Sequence, residues 1–341
     1  MFKTFRLATC ASLLSLSPVL TAQASAAELK VVASFSIIAD FAKNVGGDRV
    51  EITTLVGPDG DAHVYEPRPA DAVAVSKADV VLVNGLEFEG FLKRLIETSG
   101  TKAPVVELTK GVEPLRLSDE PAGHAHPVAE EEEAHDHKTG EAGHKHETAD
   151  AHDHDHGHEG HHHHGEYDPH AWQSIKNAQI YVKNIAGAFC KADKPGCATY
   201  TANSDAYVAK LATLNEKVKT EIAAIPPEKR VIITSHDAFG YFEHAYGLNF
   251  LAPEGISTES EASAADVAKL VDQVKHDKAS AIFVENITDK RLIDQIASET
   301  GLKVGGTLYS DALSTADGPA ATYIDMVNHN IETISAAVLG Q

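Results

Sequence analysis

Residues 29–46 read LKVVASFSIIADFAKNVG, and the way this stretch divides decides the fold. LKVVASF is a short apolar run rich in β-branched residues, the pattern of a buried strand. IIADFAKNVG carries apolar residues at helical spacing and ends on glycine, the usual closing residue of a helix. The same alternation continues outward. VEITTLV (50–56) is a strand that runs into a loop rich in Gly, Asp and Pro. PADAVAVSKA (69–78) is helical, DVVLVNG (79–85) a strand, EGFLKRLIETSG (89–100) a helix and APVVEL (103–108) a strand. Strands alternating with helices of this length indicate βαβ units and a mostly parallel sheet.

The second half repeats the pattern. Strands are expected at RVIITS (230–235), LNFLA (248–252), SAIFVE (280–285) and LKVGGTL (302–308). Helices are expected at 237–247, 263–277, 290–301 and 320–340. Between the halves lies a longer amphipathic run, Ala198 to Ala224, in which Tyr207, Leu211, Leu214, Val218 and Ile222 recur at spacings of three and four. It stops at PPEKR, where proline ends a helix. A helix of that length spans about 40 Å at 1.5 Å per residue, the dimension of a strut. The expected architecture is therefore α/β: two (βα)4-type lobes, mostly parallel, joined by one long rigid helix. The first lobe covers 28–196, the linking helix 197–226 and the second lobe 227–341.

The remaining segments have a different character. Residues 1–27 pair a basic start, Lys3 and Arg6, with an apolar stretch from Leu7 to about Leu20 and small residues at Ser25 and Ala27. This reads as a cleaved secretory signal and places the mature chain in the periplasm. Cys10 lies inside the apolar stretch rather than after it, which disfavours a lipid anchor. Export also bears on Cys190 and Cys197 in FCKADKPGCATY: in an oxidising compartment, with a Lys-Pro-Gly turn between them, a disulfide is favoured over a metal-binding thiol pair.

The net charge of −21 is concentrated in one place. Between Asp119 and Glu166 there are fourteen acidic residues and two lysines, a net of −12, and fourteen of the chain's twenty histidines. This insert, 118–165, lacks aromatic residues and nearly all large aliphatics, so by composition it is expected to be disordered without metal. Its histidines, including His152, His154, His156, His158, His161, His162, His163 and His164, are expected to give many weak, labile metal sites. A negative charge of this size excludes nucleic acid as a partner.

Ligands of α/β lobes collect in loops past the carboxyl ends of strands. Four candidates occupy such places. His63 follows the strand ending at Val56, His236 follows RVIITS, and Asp311 follows LKVGGTL; His170 stands in EYDPHAW, where ordered sequence resumes after the insert. Three neutral imidazoles and a carboxylate suit Zn²⁺, which is commonly four-coordinate with nitrogen and oxygen donors. The plainer readings are surface or capping residues, and spacing alone does not decide. Asp311 could cap a turn, and Asp237 is expected to cap the helix after His236. His244, His276 and His329 sit in helical patterns among charged neighbours and are not favoured. Glu285 points toward the cleft but is expected to support His236 rather than bind metal.

The segments GPDGDAHVYEPRP (57–69), NGLEFEGFL (84–92), DPHAW (168–172), SHDAFGYFEHAYGL (235–248) and YSDALS (309–314) together resemble the metal-specific solute-binding proteins of bacterial ABC transporters, the group serving zinc and manganese importers. The resemblance is to the zinc-specific periplasmic members and covers nearly the whole mature chain outside the insert. It implies two lobes on a rigid helix with the metal in the cleft between them. It also implies His63, His170 and His236 as ligands in that order, with Asp311 or water as the fourth and Asp311 favoured. Manganese members place glutamate at the third position, where this chain has His236, and imidazole suits zinc better than carboxylate oxygen does. Some zinc members have glutamate just before the first histidine, where Ala62 stands. A His- and acid-rich loop before the second ligand is likewise a trait of zinc-importing members. A flexible chain of about 48 residues has an r.m.s. span near 38 Å, so metal held there is at high effective concentration for the cleft.

The function implied is capture of Zn²⁺ and its delivery to the membrane permease of an ABC importer. A periplasmic zinc chaperone is a second candidate partner, and a monomer is expected. A zinc hydrolase is the competing class. A closed four-ligand site argues against it, since catalysis needs an open position, and no general base stands as in His-Glu-x-x-His. A metal store or adhesin is the third reading.

Overall fold

A computed structural model describes residues 28–117 and 165–340. The signal expected at 1–27 and residues 118–164 of the insert, with its eight named histidines, lie outside the described residues.

Two four-stranded parallel sheets form the frame. In the first lobe these are β1 (Leu29–Phe35), β2 (Val50–Val56), β3 (Val80–Val83) and β4 (Val105–Glu107), in spatial order β2-β1-β3-β4. In the second they are β5 (Val231–Ile233), β6 (Asn249–Leu251), β7 (Ala281–Glu285) and β8 (Val304–Leu308), in the equivalent order β6-β5-β7-β8. All six pairings are parallel. The apolar run of β1 is explained by this placement: Lys30 is its sole exposed residue because helices cover both faces of the sheet. In both lobes the chain moves from the central strand first to one neighbour and then to the other. The strand order therefore reverses beside β1 and beside β5, and such reversals open a crevice at the strands' carboxyl ends.

The first lobe's helices are α1 (Ser36–Gly46), α2 (Pro69–Ser76), α3 (Leu92–Ser99) and α4 (Ile175–Ala192). Then comes α5, Cys197–Ala224, whose 28 residues extend about 42 Å at the helical rise. The second lobe carries α6 (Gly240–Tyr246), α7 (Ala264–Asp277), α8 (Lys290–Thr300) and α9 (Tyr323–Leu339). α5 packs along α4 and α1 in one lobe and against α9 and α6 in the other. Its buried residues include the expected stripe of Tyr207, Leu211, Leu214, Val218 and Ile222. Cys190 and Cys197 form a disulfide at the turn from α4 to α5, tying the long helix to its predecessor.

The two lobes share apolar contacts more fully than the βα pattern suggests. One continuous cluster runs from the first lobe's core through α5 to the faces of Phe239, Phe283, Leu308 and Ile331. A smaller cluster fills the outer side of the second sheet, beneath α7 and α8. Asp40 on α1 reinforces the junction. Its carboxylate accepts a bond from Tyr207 on α5 at 3.2 Å and from the Tyr323 amide at the start of α9 at 3.1 Å. Burial pushes this carboxyl up to about 6, against those hydrogen bonds. Other bonds cross directly between the lobes. The Trp172 indole and the Gln173 amide both donate to the Ser310 carbonyl, at 2.9 and 2.8 Å, and the Leu313 amide donates to the Ser36 hydroxyl at 2.9 Å.

Candidate metal centre

The four side chains singled out in the sequence meet at one point between the lobes. His63 is presented by the loop after β2. There Gly60 allows a tight return, since a Cβ on it would lie 2.9 Å from Val56 Cγ1 and 3.0 Å from the Gly57 carbonyl. His170 stands just before α4, His236 just after β5, and Asp311 just after β8. The Nε2 atoms of His63 and His170 are 3.4 Å apart. Asp311 Oδ2 lies 3.1 Å from His236 Nε2, 3.2 Å from His63 Nε2 and 3.7 Å from His170 Nε2. All four candidate donor atoms fall within 4.8 Å of one another. A tetrahedron with arms of about 2.0–2.1 Å has edges of about 3.3–3.4 Å. Three of the separations, 3.1, 3.2 and 3.4 Å, lie close to such edges, and the one from His170 to Asp311, 3.7 Å, is somewhat wider.

Each histidine is held from behind, by different means. Asp168 Oδ1 accepts both the backbone amide and the Nδ1–H of His170, each at 2.8 Å, which leaves Nε2 as the free donor. Glu285, at the end of β7, accepts the amides of Ser235 and His236 at 2.8 and 2.9 Å. Its other oxygen lies 2.8 Å from His236 Nδ1, close enough to pair with it though not aligned as a hydrogen bond. Among the described residues no carboxylate stands behind the His63 ring. Asp61 accepts its backbone amide at 2.8 Å, and the ring packs edge-on to Phe88 at 4.8 Å between centroids. Phe35, Phe88 and Trp172 form an aromatic floor with mutual centroid distances of 4.8–5.0 Å. Trp172 also packs on the His170 ring.

The floor helps to bury the site. His170, His236 and Asp311 are fully buried, and His63 is 8% exposed. Alone of the four, His63 also borders a cavity of about 440 Å³ at the cleft mouth, which it shares with Glu87, Glu259, Tyr167 and Gly165. Electrostatics in this setting are strong. Burial works against a charged His170 ring, but Asp311 and Asp168 outweigh it and hold the imidazole at about 9. Burial likewise opposes charge on His236, yet Glu285 and Asp311 raise it well above the ordinary value. His63, with only Asp311 to oppose desolvation, is lowered. Asp311 is driven well below the carboxylate range by His170 and His236 despite its burial. Asp311 Oδ1 also has no hydrogen-bond partner, although it is buried. A buried carboxylate oxygen left open beside three convergent imidazoles is the donor set that a divalent cation completes.

The sequence reading missed Asp168. The available signal was a repeat: Asp61-Ala-His63 and Asp168-Pro-His170 share Asp-x-His, and in both the aspartate accepts the amide of the histidine two residues on. Glu285 stands behind His236, as expected. Asp237 does not cap the next helix: α6 begins only at Gly240 with Phe239 at its N-cap, because the chain first makes a turn in which the Ala238 amide bonds the His236 carbonyl. His276 and His329 lie elsewhere, bonded to Asp277 and to the Thr307 carbonyl.

Two parallel α/β lobes, a long helix along both and a buried three-nitrogen, one-oxygen donor set between them define a carrier of a metal ion. The chain belongs to the family described as ZnuA, zinc-uptake complex component A, periplasmic, whose model matches residues 31–337. It is 32% identical over 305 residues to the manganese-binding lipoprotein MntA of Halalkalibacterium halodurans, covering 89% of this chain and 87% of that one. It is 29% identical over 311 residues to the iron-binding protein YfeA of Yersinia pestis, covering 91% and 86%. Among solved structures, the periplasmic zinc-binding protein TroA of Treponema pallidum superimposes with a TM-score of 0.73 at 29% identity, covering 91% of this chain and 99% of that one. The chain is thus the metal-binding, extracytoplasmic component of an ABC importer, which hands its ion to a membrane permease and is not an enzyme.

Proposed function

We propose that the ion is Zn²⁺ and that His63, His170, His236 and Asp311 are its ligands. The observation that carries this reading is the donor set itself: three imidazole Nε2 atoms and one carboxylate oxygen close to one another in a buried pocket. Nitrogen-rich, four-coordinate surroundings favour zinc, whereas manganese favours harder oxygen donors and higher coordination. The family description points the same way. Manganese is the competing reading, because relatives of this chain are named for manganese and for iron.

One chain supplies all four donors, which supports action as a monomer. The apolar stretch and small residues before Glu28 support release into the periplasm by signal cleavage, although several relatives are named lipoproteins. The His- and acid-rich insert is read as a collecting arm of weak zinc sites. Its end is tethered beside the cleft, since Leu117 and Glu166 are joined by a backbone bond and Gly165 borders the cleft-mouth cavity. A periplasmic zinc chaperone remains the second candidate partner, as donor to that arm.

Competition titrations of the metal-free protein with Zn²⁺, Mn²⁺ and Fe²⁺, joined to an anomalous map at each metal edge, test the assignment. Zinc bound at least about a thousandfold more tightly than manganese, with density between the four donors, is expected. Manganese preferred at neutral pH, or a fourth ligand other than Asp311, would overturn it.

A further inference from the structure

The two Asp-x-His units differ in what their aspartates do beyond the backbone. In Asp168-Pro-His170 one carboxylate oxygen serves both the amide and the ring of the histidine, so the unit is complete in itself. In Asp61-Ala-His63 the Oδ1 atom accepts the His63 amide at 2.8 Å. Its Oδ2 atom accepts the hydroxyl of Thr258, a residue of the other lobe, at 2.5 Å. A hydroxyl on a carboxylate at that distance is a charge-assisted bond, the stronger kind.

Thr258 is half-buried and belongs to the segment that follows β6. The start of this segment is bonded to both neighbours of His236. The Glu254 amide donates to the Ser235 carbonyl at 3.3 Å, and the Asp237 amide donates to the Gly255 carbonyl at 3.1 Å. Further on, Ile256, Ser257 and Glu259 border the cavity at the cleft mouth beside His63. Residues 254–258 therefore run as a strap from the flanks of His236 to the loop that carries His63. That loop also meets the second lobe at its tip: the Asp59 amide donates to the Leu313 carbonyl at 2.9 Å, and Asp59 Oδ1 accepts the Asn286 side-chain amide at 3.0 Å. Asp61 differs from Asp59 in joining the second lobe to His63 itself through one carboxylate.

We propose that Thr258 is a positioning residue for metal retention: acting through Asp61, it holds His63 in place from the opposite lobe and so slows release of the ion. This rests on the reading of His63 as a zinc ligand. His63 is the candidate ligand that needs such support most. It alone of the four borders the cleft-mouth cavity. Its ring has edge-on packing against Phe88 where His170 and His236 each have a carboxylate behind them. A ligand without that backing keeps its aim only as well as its loop is held. Removing the Thr258 hydroxyl frees the His63 loop from the strap, and His63 becomes the first donor to leave.

Stopped-flow release of Zn²⁺ from the loaded full chain into excess chelator tests it. Thr258→Val replaces the hydroxyl by a methyl group of nearly the same size and should speed release about tenfold, as expected for one lost charge-assisted bond. Thr258→Ser keeps the hydroxyl and should restore slow release. A double-mutant cycle with His63→Ala separates positioning from general loosening. Once His63 is gone, adding Thr258→Val should change the release rate by less than about twofold. Wild-type release from Thr258→Val, while His63→Ala abolishes tight binding, overturns the positioning role and leaves the zinc reading standing. Release from Thr258→Ser as fast as from Thr258→Val, or equal acceleration with and without His63, overturns it as well. Wild-type zinc affinity in His63→Ala overturns both readings.

Discussion

Lowering the pH should weaken metal binding already above neutrality, where a site of ordinary histidines would be almost insensitive. His170 is held at about 9, and His236 is raised well above its usual value. Both shifts are upward, so each ring carries a proton at every pH below its raised value, and each proton must leave before Nε2 can bind a cation. His63 is lowered and adds no proton near neutrality, while Asp311 is already ionised. The proton on His170 alone makes the apparent affinity change by about tenfold per pH unit between pH 8 and pH 6, and the proton that the raised His236 holds steepens this further. Unperturbed imidazoles near 6.5 would instead give an almost flat profile above about pH 7.5. The assay is zinc titration against a competing chelator at pH 6, 7 and 8. Calorimetry in two buffers of different ionisation enthalpy counts the protons released. Equal affinity at pH 7 and 8, or release of fewer than one proton per ion, would refute the electrostatic account of the cleft.

Three further outcomes follow from particular contacts. Asp168→Asn keeps the volume behind His170 but removes the charge that fixes its tautomer, and should weaken zinc binding about 10–100-fold in the same titration while the far-UV spectrum is retained. Replacing Cys190 and Cys197 by serine opens a short loop worth about 2.5 kcal/mol in the chain-entropy model, so thermal melting should fall by several degrees; an unchanged melting temperature would show that packing of α4 on α5 alone holds the junction. Deleting 119–165 should leave one tight site and abolish the weak ones in a zinc titration, because all four proposed ligands belong to the folded lobes. Loss of the tight site on that deletion would contradict the placement.

The alternation of strands and helices was legible because it rests on local periodicity. β1 reads as a continuous apolar run because both faces of its sheet are covered, and the α5 stripe reads at three and four because one side of that helix is buried. The four candidate donors could also be named individually, since each follows a strand or reopens an ordered segment. Their roles could not be separated from capping or surface roles by spacing, and the expected cap at Asp237 shows the limit: a turn of two residues moved the helix start to Gly240. Asp168 escaped notice because its task, orienting His170, depends on where its carboxylate lies and not on any run of sequence.

What the sequence determined by itself was the set of parts: two βα lobes, a long helix, a disulfide-forming cysteine pair, an acidic histidine-rich insert and four residues of the right chemistry. What the tertiary structure alone decided was their convergence. His63 and His170 stand 107 positions apart, and His236 and Asp311 a further 75 apart from each other, yet their donor atoms meet within 4.8 Å. That meeting depends on two separate sheets being held in one relative pose by α5, by the Asp40 junction and by the bonds from Trp172 and Gln173 to Ser310. Periodicity reports on residues a few positions apart, whereas the position of one lobe against the other is set by contacts between residues far apart in the chain.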